Sequence, residues 1–305
     1  MGSTKIEWCD ETQNPISGCT KISAGCTNCY AEALHTRRHK ALMAGKDLPE
    51  CYRQPFSQVT LFPKRLKVPN FKTKRIVFLN SMGDLFHKDV PDSWLDAILF
   101  AVALRPNHTF VTLTKRSDRM LEYFYKMSSE DSPLGRCHAE WGALAEHPSR
   151  MDDDPRLEDE EIQCEAALGQ EWPLENLWLG VSVENQEAAD LRLPDLLLTP
   201  AAHRLISVEP MIGPVVIPDV IEAGPDGRDG CWMDPLRPDN RNAINWVICG
   251  AETGPGARPM NLDWARSLRD QCAGAGVPFF LKQVDAGKHN MLDGQTWQQF
   301  PKGVR

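Results

Sequence analysis

Short runs of β-branched and aromatic residues, bounded by Gly, Pro, Asn and Asp, recur along the chain at 75–80 (RIVFLN), 108–114 (HTFVTLT), 177–183 (LWLGVSV), 204–208 (RLISV), 244–250 (INWVICG) and 277–282 (VPFFLK). Runs of this length and make-up predict six strands. Between several of them the apolar positions switch to helical spacing: 92–104, with Trp94, Leu95, Ile98, Leu99 and Val102, then 186–198 and 263–275. Strand–helix alternation implies a parallel sheet. The strands are apolar on both faces, as expected where helices cover one side and a barrel interior the other. A further N-terminal strand is expected near 5–8 and a helix over 30–44.

Two segments break the alternation. Residues 128–175 contain SSEDSP and the acidic MDDDPRLEDEEIQ, and 219–242 are rich in Gly, Pro and Asp. Both read as insertions on one large domain spanning 1–305, the first with short helices near 137–147 and 158–168. The fold expected is α/β, a partial (β/α)6-like parallel barrel with insertions.

Composition narrows the function classes. With 42% hydrophobic and 25% charged residues in 305, the chain is an ordinary globular protein. Lys plus Arg number 34 against 42 Asp plus Glu, a net charge of −8, which is not the overall basic footprint of a nonspecific nucleic-acid binder. Local basic stretches at 36–40 (TRRHK) and 64–74 (KRLKVPNFKTK) remain. No apolar run approaches the roughly 20 residues of a membrane span, and the N-terminus lacks a signal-peptide core. A cytoplasmic protein without a membrane partner is expected. In that compartment thiols serve metals, chemistry or packing rather than disulfides, so the spacing of the ten cysteines carries the information.

The densest chemistry is GCTKISAGCTNCYAE, in which Cys19, Cys26 and Cys29 form C-x6-C-x2-C on a Gly-containing loop leading into the 30–44 helix. Thiolate sulfur suits Fe–S clusters and zinc, and three cysteines without a fourth leave one iron of a [4Fe–4S] cluster open to an external ligand. S-adenosylmethionine chemistry needs such an open iron. Zinc is the alternative, with His35 or His39 completing a Cys3His tetrahedron. The other cysteines show no comparable spacing.

In α/β barrels the site is built where strands end. Here those ends read Asn80-Ser81-Met82-Gly83-Asp84, Thr114-Lys115-Arg116, Ser182-Val183-Glu184-Asn185, Ser207-Val208-Glu209-Pro210, Gly250-Ala251-Glu252-Thr253-Gly254 and Lys282-Gln283. Every predicted strand delivers polar groups to one rim, and the carboxylates of Glu184, Glu209 and Glu252 suit ribose hydroxyls or an ammonium. Gly250 to Pro259 (GAETGPGARP) matches no phosphate-loop pattern, although Arg258 can clamp an anion with two nitrogens.

IEWCDETQNPISGCTKISAGCTNCYAE, FLNSMGDLFHKDVP, FVTLTKRSDRM, LWLGVSVENQ, LISVEPMIGP, VICGAETGPGARPM and VPFFLKQ, in this order from Lys5 to about Pro301, together resemble a family of uncharacterised proteins carried by bacteriophages, prophages and bacterial genomes. Its N-terminal cysteine motif is similar to that of the radical SAM enzymes. The spacing is longer than the superfamily's common C-x3-C-x2-C, and Asn28 stands where an aromatic residue often precedes the last cysteine, which passes the adenine contact to Tyr30. The resemblance implies a radical-SAM-type partial barrel, a [4Fe–4S] cluster on Cys19, Cys26 and Cys29, S-adenosyl-L-methionine as cosubstrate and an electron donor of flavodoxin or ferredoxin type. On this expectation Asn28, Tyr30, Ser81, Asp84, Lys115, Ser182 and Glu184 position the cosubstrate. Glu209, Glu252 and Lys282 act on the substrate, and Arg258 and Gln283 bind it. A nucleic-acid or nucleotide substrate is the leading expectation, from the phage association and the basic stretches. The alternative is a zinc-stabilised nucleic-acid-binding module without radical chemistry.

Overall fold

The computed structural model describes residues 2–67, 71–145, 156–219, 221–223, 231–237, 242–285, 287 and 289–304. Its main sheet has eight strands, hydrogen-bonded in the order Gly2–Ser3, Glu11–Gln13, Ile76–Leu79, Thr109–Thr114, Leu177–Ser182, His203–Val208, Trp246–Gly250 and Phe279–Gln283. The first pair is antiparallel and every later pair is parallel. The seven parallel strands curl into a half-barrel flanked by helices. All six strands expected from the sequence are present, each with its ends within two residues of the expected ones.

The N-terminal strand lies at Glu11–Gln13 rather than at 5–8. Ile6 and Trp8 alternate with polar neighbours as a strand would, but Trp8 is spent as a buried plug inside the barrel. Pairing with the Ile76–Leu79 strand is opened by Asp10 instead: its Oδ2 accepts from Ile76 N–H at 2.8 Å while its own N–H donates to Ile76 O at 2.9 Å.

Helices α1 (Tyr30–Met43), α2 (Asp92–Ala103), α3 (Ser117–Ser128), α4 (Pro133–Leu144), α5 (Arg156–Leu168), α6 (Gln186–Leu198) and α7 (Leu262–Ala275) fill the crossovers. Alternate strand residues divide between two cores, as a two-residue period requires. Val77, Leu79, Leu179, Val181, Val247 and Leu281 face the helices. Ile76, Phe78, Trp178, Leu205, Trp246 and Phe280 face inward, where Trp8 joins them to close the barrel floor. Trp8 sits 4.8 Å from Phe78 and 6.0 Å from Trp246 between ring centroids. Gly180 faces this interior, and a Cβ there would lie 2.7 Å from Leu205 Cδ2.

The 128–175 insertion contributes a second helical layer. Leu134, Cys137 and Trp141 of α4 are buried, and Trp141 packs 5.4 Å from Phe100 of α2. Arg136 Nε donates to the buried Asp96 at 2.9 Å. In the 219–242 insertion the described residues form a ribbon of Ile221–Ala223 against Cys231–Met233. Among the described residues, no helix is long and apolar enough to cross a membrane.

Candidate active site

The C-terminal ends of the parallel strands open into one cavity of about 440 Å³, floored by Trp8, Phe78 and Leu113. Cys19, Cys26 and Cys29 line it together with Asn28, Tyr30, Ser81, Asp84, Lys115, Ser182, Glu209, Glu252, Lys282 and Gln283. Of the residues expected to form the site, only Glu184 and Arg258 stand behind its wall.

Close backbone contacts place the cysteine loop. Cys19 N–H donates to Phe56 O at 2.8 Å and Gly18 N–H to Met82 O at 3.1 Å. Gly18 has φ 103°, left-handed territory that favours glycine, and a Cβ at Gly83 would lie 2.7 Å from Gly18 O. The two glycines thereby lock the Cys19 segment onto the loop that follows strand Ile76–Leu79. The loop then passes through a 3-10 turn, Ala24–Cys26, and Cys29 caps the start of α1.

Glu184 holds that turn from behind. It is 1% exposed, accepts from Gly25 N–H at 3.3 Å and pairs with Arg192 Nη1 of α6 at 2.8 Å. Burial pushes its carboxyl up, but hydrogen bonds from Ser23 and Arg192 and the charge of Lys115 outweigh this and bring its pKa below the ordinary value. A Cβ at Gly25 would stand 3.0 Å from the Glu184 carboxyl carbon. Glu184 is thus a strut between the cysteine loop and α6, its oxygens already occupied.

Asp84 is similarly occupied. It accepts from Thr114 Oγ1 at 2.7 Å, Phe86 N–H at 3.0 Å, Lys115 N–H at 3.3 Å and Arg116 Nη1 at 2.8 Å. Arg116 was not among the expected site residues. Its guanidinium reaches Cys19 Sγ at 3.5 Å and Thr20 O at 2.9 Å. Burial and the Asp84 charge raise the Cys19 thiol's pKa, against the opposing pull of Arg116.

Glu252 forms a two-pronged pair with Arg258, Nε to Oε2 at 2.9 Å and Nη2 to Oε1 at 2.5 Å, and also accepts from Asn28 Nδ2 at 2.9 Å. These bonds, from Arg258 above all, hold its pKa down at about 2. Such a carboxylate is an anion at neutral pH and a poor proton acceptor; it ties Asn28, in the cysteine loop, to the loop after strand Trp246–Gly250. Glu209 keeps more freedom. Its Oε1 accepts from Lys282 Nζ at 2.6 Å and Gln283 Nε2 at 2.9 Å, while among the described residues Oε2 has no partner. Gly250 makes room for this group: a Cβ there would lie 2.9 Å from Gln283 Nε2 and 3.3 Å from the Glu209 carboxyl carbon.

The groups left open to a ligand are few. Among the described residues Lys115 has no carboxylate within ion-pair distance, and Ser182 and Ser207 line the wall nearby. Tyr30, half exposed, donates its hydroxyl to Ser81 O at 2.5 Å. Asn80, which the sequence placed on the rim without a role, is 3% exposed and lines the cavity at φ 67° with neither carboxamide atom hydrogen-bonded. Native proteins seldom leave a buried amide unpaired, so Asn80 is suited to a ligand that both donates and accepts.

A family model described as "Protein of unknown function (DUF5131)" matches residues 3–301. The chain belongs to that family. No curated protein and no solved structure matches it.

The donor set of this DUF5131 chain bears on which metal group it suits. His35 is 2% exposed, with Nε2 3.2 Å from Cys51 O, and His39 Nδ1 lies 2.8 Å from Tyr52 O. Neither lines the cavity. Among the described residues, no three His, Cys, Asp or Glu side chains converge closely enough to hold a single metal ion. A tetrahedral zinc site would need sulfurs only about 4 Å apart, since Zn–S bonds are about 2.3 Å. Cys19, Cys26 and Cys29 line the same cavity.

The basic stretches are partly engaged. Arg38 bonds Tyr52 Oη, Arg65 lies 4.2 Å over the Phe62 ring, and Lys74 bonds Gly303 O, whereas Arg37 and Lys40 are exposed. Residues 68–70 of the second stretch fall outside the described residues.

Proposed function

We propose that this chain is a radical SAM enzyme, with a [4Fe–4S] cluster held by Cys19, Cys26 and Cys29 and S-adenosyl-L-methionine bound beside it in the strand-end cavity. The observation that carries the reading is that the three cysteines, with His35 and His39 engaged elsewhere, line a single cavity together with polar residues from the parallel strands. When bound, the reduced cluster and its cosubstrate supply a 5′-deoxyadenosyl radical to an adjacent substrate.

The chain's own residues prepare the cavity for that chemistry. Glu184, Asp84 and Glu252 fix the cysteine loop from three sides, so the thiols are oriented before any ligand arrives. Lys115, Asn80, Ser182 and Ser207 offer a cation, an amide and hydroxyls for the carboxylate, amine and ribose of a nucleoside amino acid. The aromatic floor of Trp8 and Phe78 excludes water from below. On the far wall Glu209 Oε2 and Lys282 are the groups placed to hold or move a proton on the substrate. A nucleic-acid or nucleotide substrate is supported by the exposed Arg37 and Lys40 on α1, the helix that follows the cysteine loop, and the reading calls for a flavodoxin- or ferredoxin-type electron donor.

The zinc reading loses support because His35 and His39 are committed to backbone carbonyls of the 51–52 turn. The test is anaerobic incubation of the reconstituted protein with S-adenosylmethionine and dithionite, with and without single-stranded DNA and RNA oligonucleotides, followed by mass analysis. Formation of 5′-deoxyadenosine, or of deuterium exchange into it from labelled substrate, is expected. Its absence from a fully iron-loaded sample rejects the proposed activity.

A further inference from the structure

We propose that Arg116 is a positioning residue for Cys19 that raises the reduction potential of the cluster. The inference rests on the cluster reading above and concerns how one of its three thiolates is tuned. Arg116 stands between strand Thr109–Thr114 and α3. Its guanidinium is fixed on three sides: Nη1 on Asp84 Oδ2 at 2.8 Å, and Nη2 on Thr20 O at 2.9 Å and Thr20 Oγ1 at 3.2 Å. The same Nη1 lies 3.5 Å from Cys19 Sγ, within reach of an N–H···S bond. Thr20 is itself pinned. The fully buried His87 accepts Asp89 N–H on Nδ1 at 3.2 Å, so its Nε2 carries the hydrogen and donates to Thr20 Oγ1 at 2.8 Å.

Reduction adds a negative charge to an iron–sulfur cluster, and donors and cations at the ligand sulfurs stabilise that state. The Arg116 and Asp84 side chains are only 12% and 8% exposed, so the field they create at Cys19 is weakly screened. The pair is a dipole with its cationic end on the sulfur. Cys26 meets Ser23 Oγ at 3.8 Å, and the exposed Lys21 ammonium, paired with Glu32 at 3.0 Å, acts on Cys26 and Cys29 through its charge without a hydrogen bond to either. Among the described residues, Arg116 is the cation hydrogen-bonded to a cysteine sulfur.

The pair makes an opposite-sign test possible. Arg116→Gln removes the cation and leaves the Asp84 carboxylate facing Cys19, so the reduced state loses stability. Asp84→Asn keeps the cation and removes the opposing charge, so the reduced state gains. A merely structural disturbance has no reason to move the two variants in opposite directions.

The measurement is a potentiometric titration of the anaerobically reconstituted full chain, without S-adenosylmethionine, followed by electron paramagnetic resonance of the reduced cluster. At a fixed potential, Arg116→Gln is expected to lower the reduced-to-oxidised ratio about tenfold, a shift of about 59 mV for a one-electron couple, and Asp84→Asn to raise it. Arg116→Lys, which keeps the charge without the fork, is expected to fall between Arg116→Gln and the parent. Unchanged midpoints, or shifts of the same sign in Arg116→Gln and Asp84→Asn at parental iron content, overturn the role of Arg116. Should Arg116→Gln fail to hold iron, Arg116→Lys against Asp84→Asn decides by the same signs. A parent chain that takes up no iron and sulfide at all overturns the cluster reading instead, and this role with it.

Discussion

Glu184→Ala removes the buried strut beneath the cysteine loop. Arg192 keeps one bond, from Nη1 to Ser182 O at 2.6 Å, but its guanidinium is left without a carboxylate in a site where the two side chains are 4% and 2% exposed. Breaking a buried pair from one side costs about 3–5 kcal/mol, because the remaining charge is uncompensated. Gly25 N–H also loses its acceptor. In a chain of this size each kcal/mol moves the melting temperature by about 2 °C, so a fall of about 6–10 °C is expected in calorimetry of the apo protein. Removing the second charge as well, in Glu184→Ala/Arg192→Met, should recover about half of the loss or more, since buried pairs replaced together by apolar groups are often nearly neutral. Iron uptake should fall in Glu184→Ala, because the turn carrying Cys26 loses its anchor. A variant that melts within about 1 °C of the parent and loads iron fully would show that Glu184 is no strut and would return it to the ligand-binding set.

Two further outcomes follow from the geometry. Glu252 is held at about 2 in the folded chain against an ordinary 4.5. A depressed carboxyl contributes stability that is complete above the unfolded value and is lost as pH falls from about 4.5 towards 2. At about 1.4 kcal/mol per pKa unit the contribution is at most about 3.5 kcal/mol, so urea midpoints measured from pH 6 to 3 should fall less steeply in Glu252→Gln than in the parent; equal slopes would refute the assignment. Gly250→Ala puts a methyl 2.9 Å from Gln283 Nε2 and should displace Gln283 from Glu209, weakening substrate turnover while iron content stays parental; unchanged turnover would remove the Glu209–Gln283 contact from the functional reading.

The strands were legible in the sequence because both their faces are buried, which turns each into a short continuous apolar run. The rim was legible because polar residues follow each run, and the fold brings those ends to one cavity. The first strand was misplaced because Ile6 and Trp8 alternate like a strand while Asp10 decides where pairing starts. Helix α3 was passed over, although Met120, Tyr123, Phe124 and Met127 bury one face of it; its ends merge into the polar stretches at 115–119 and 128–132. What spacing does not reveal is which polar groups are already satisfied. Glu184 and Gly25 are 159 positions apart, and Asp84 finds Arg116 only through the sheet. Asp84, Glu184 and Glu252 therefore looked available to a ligand and are instead bonded to the frame. Conversely, Asn80 stands on the rim with no role assigned by the sequence, and its unpaired carboxamide emerges only when its surroundings are known.

Whether Cys19, Cys26 and Cys29 hold a [4Fe–4S] cluster is decided by iron and acid-labile sulfide analysis after anaerobic reconstitution. About four of each per chain are expected, with visible absorption, loss of both when any one of the three cysteines is replaced by Ala, and full retention in His35→Ala/His39→Ala. Stoichiometric zinc with no sulfide, lost on changing a histidine, would contradict the cluster reading.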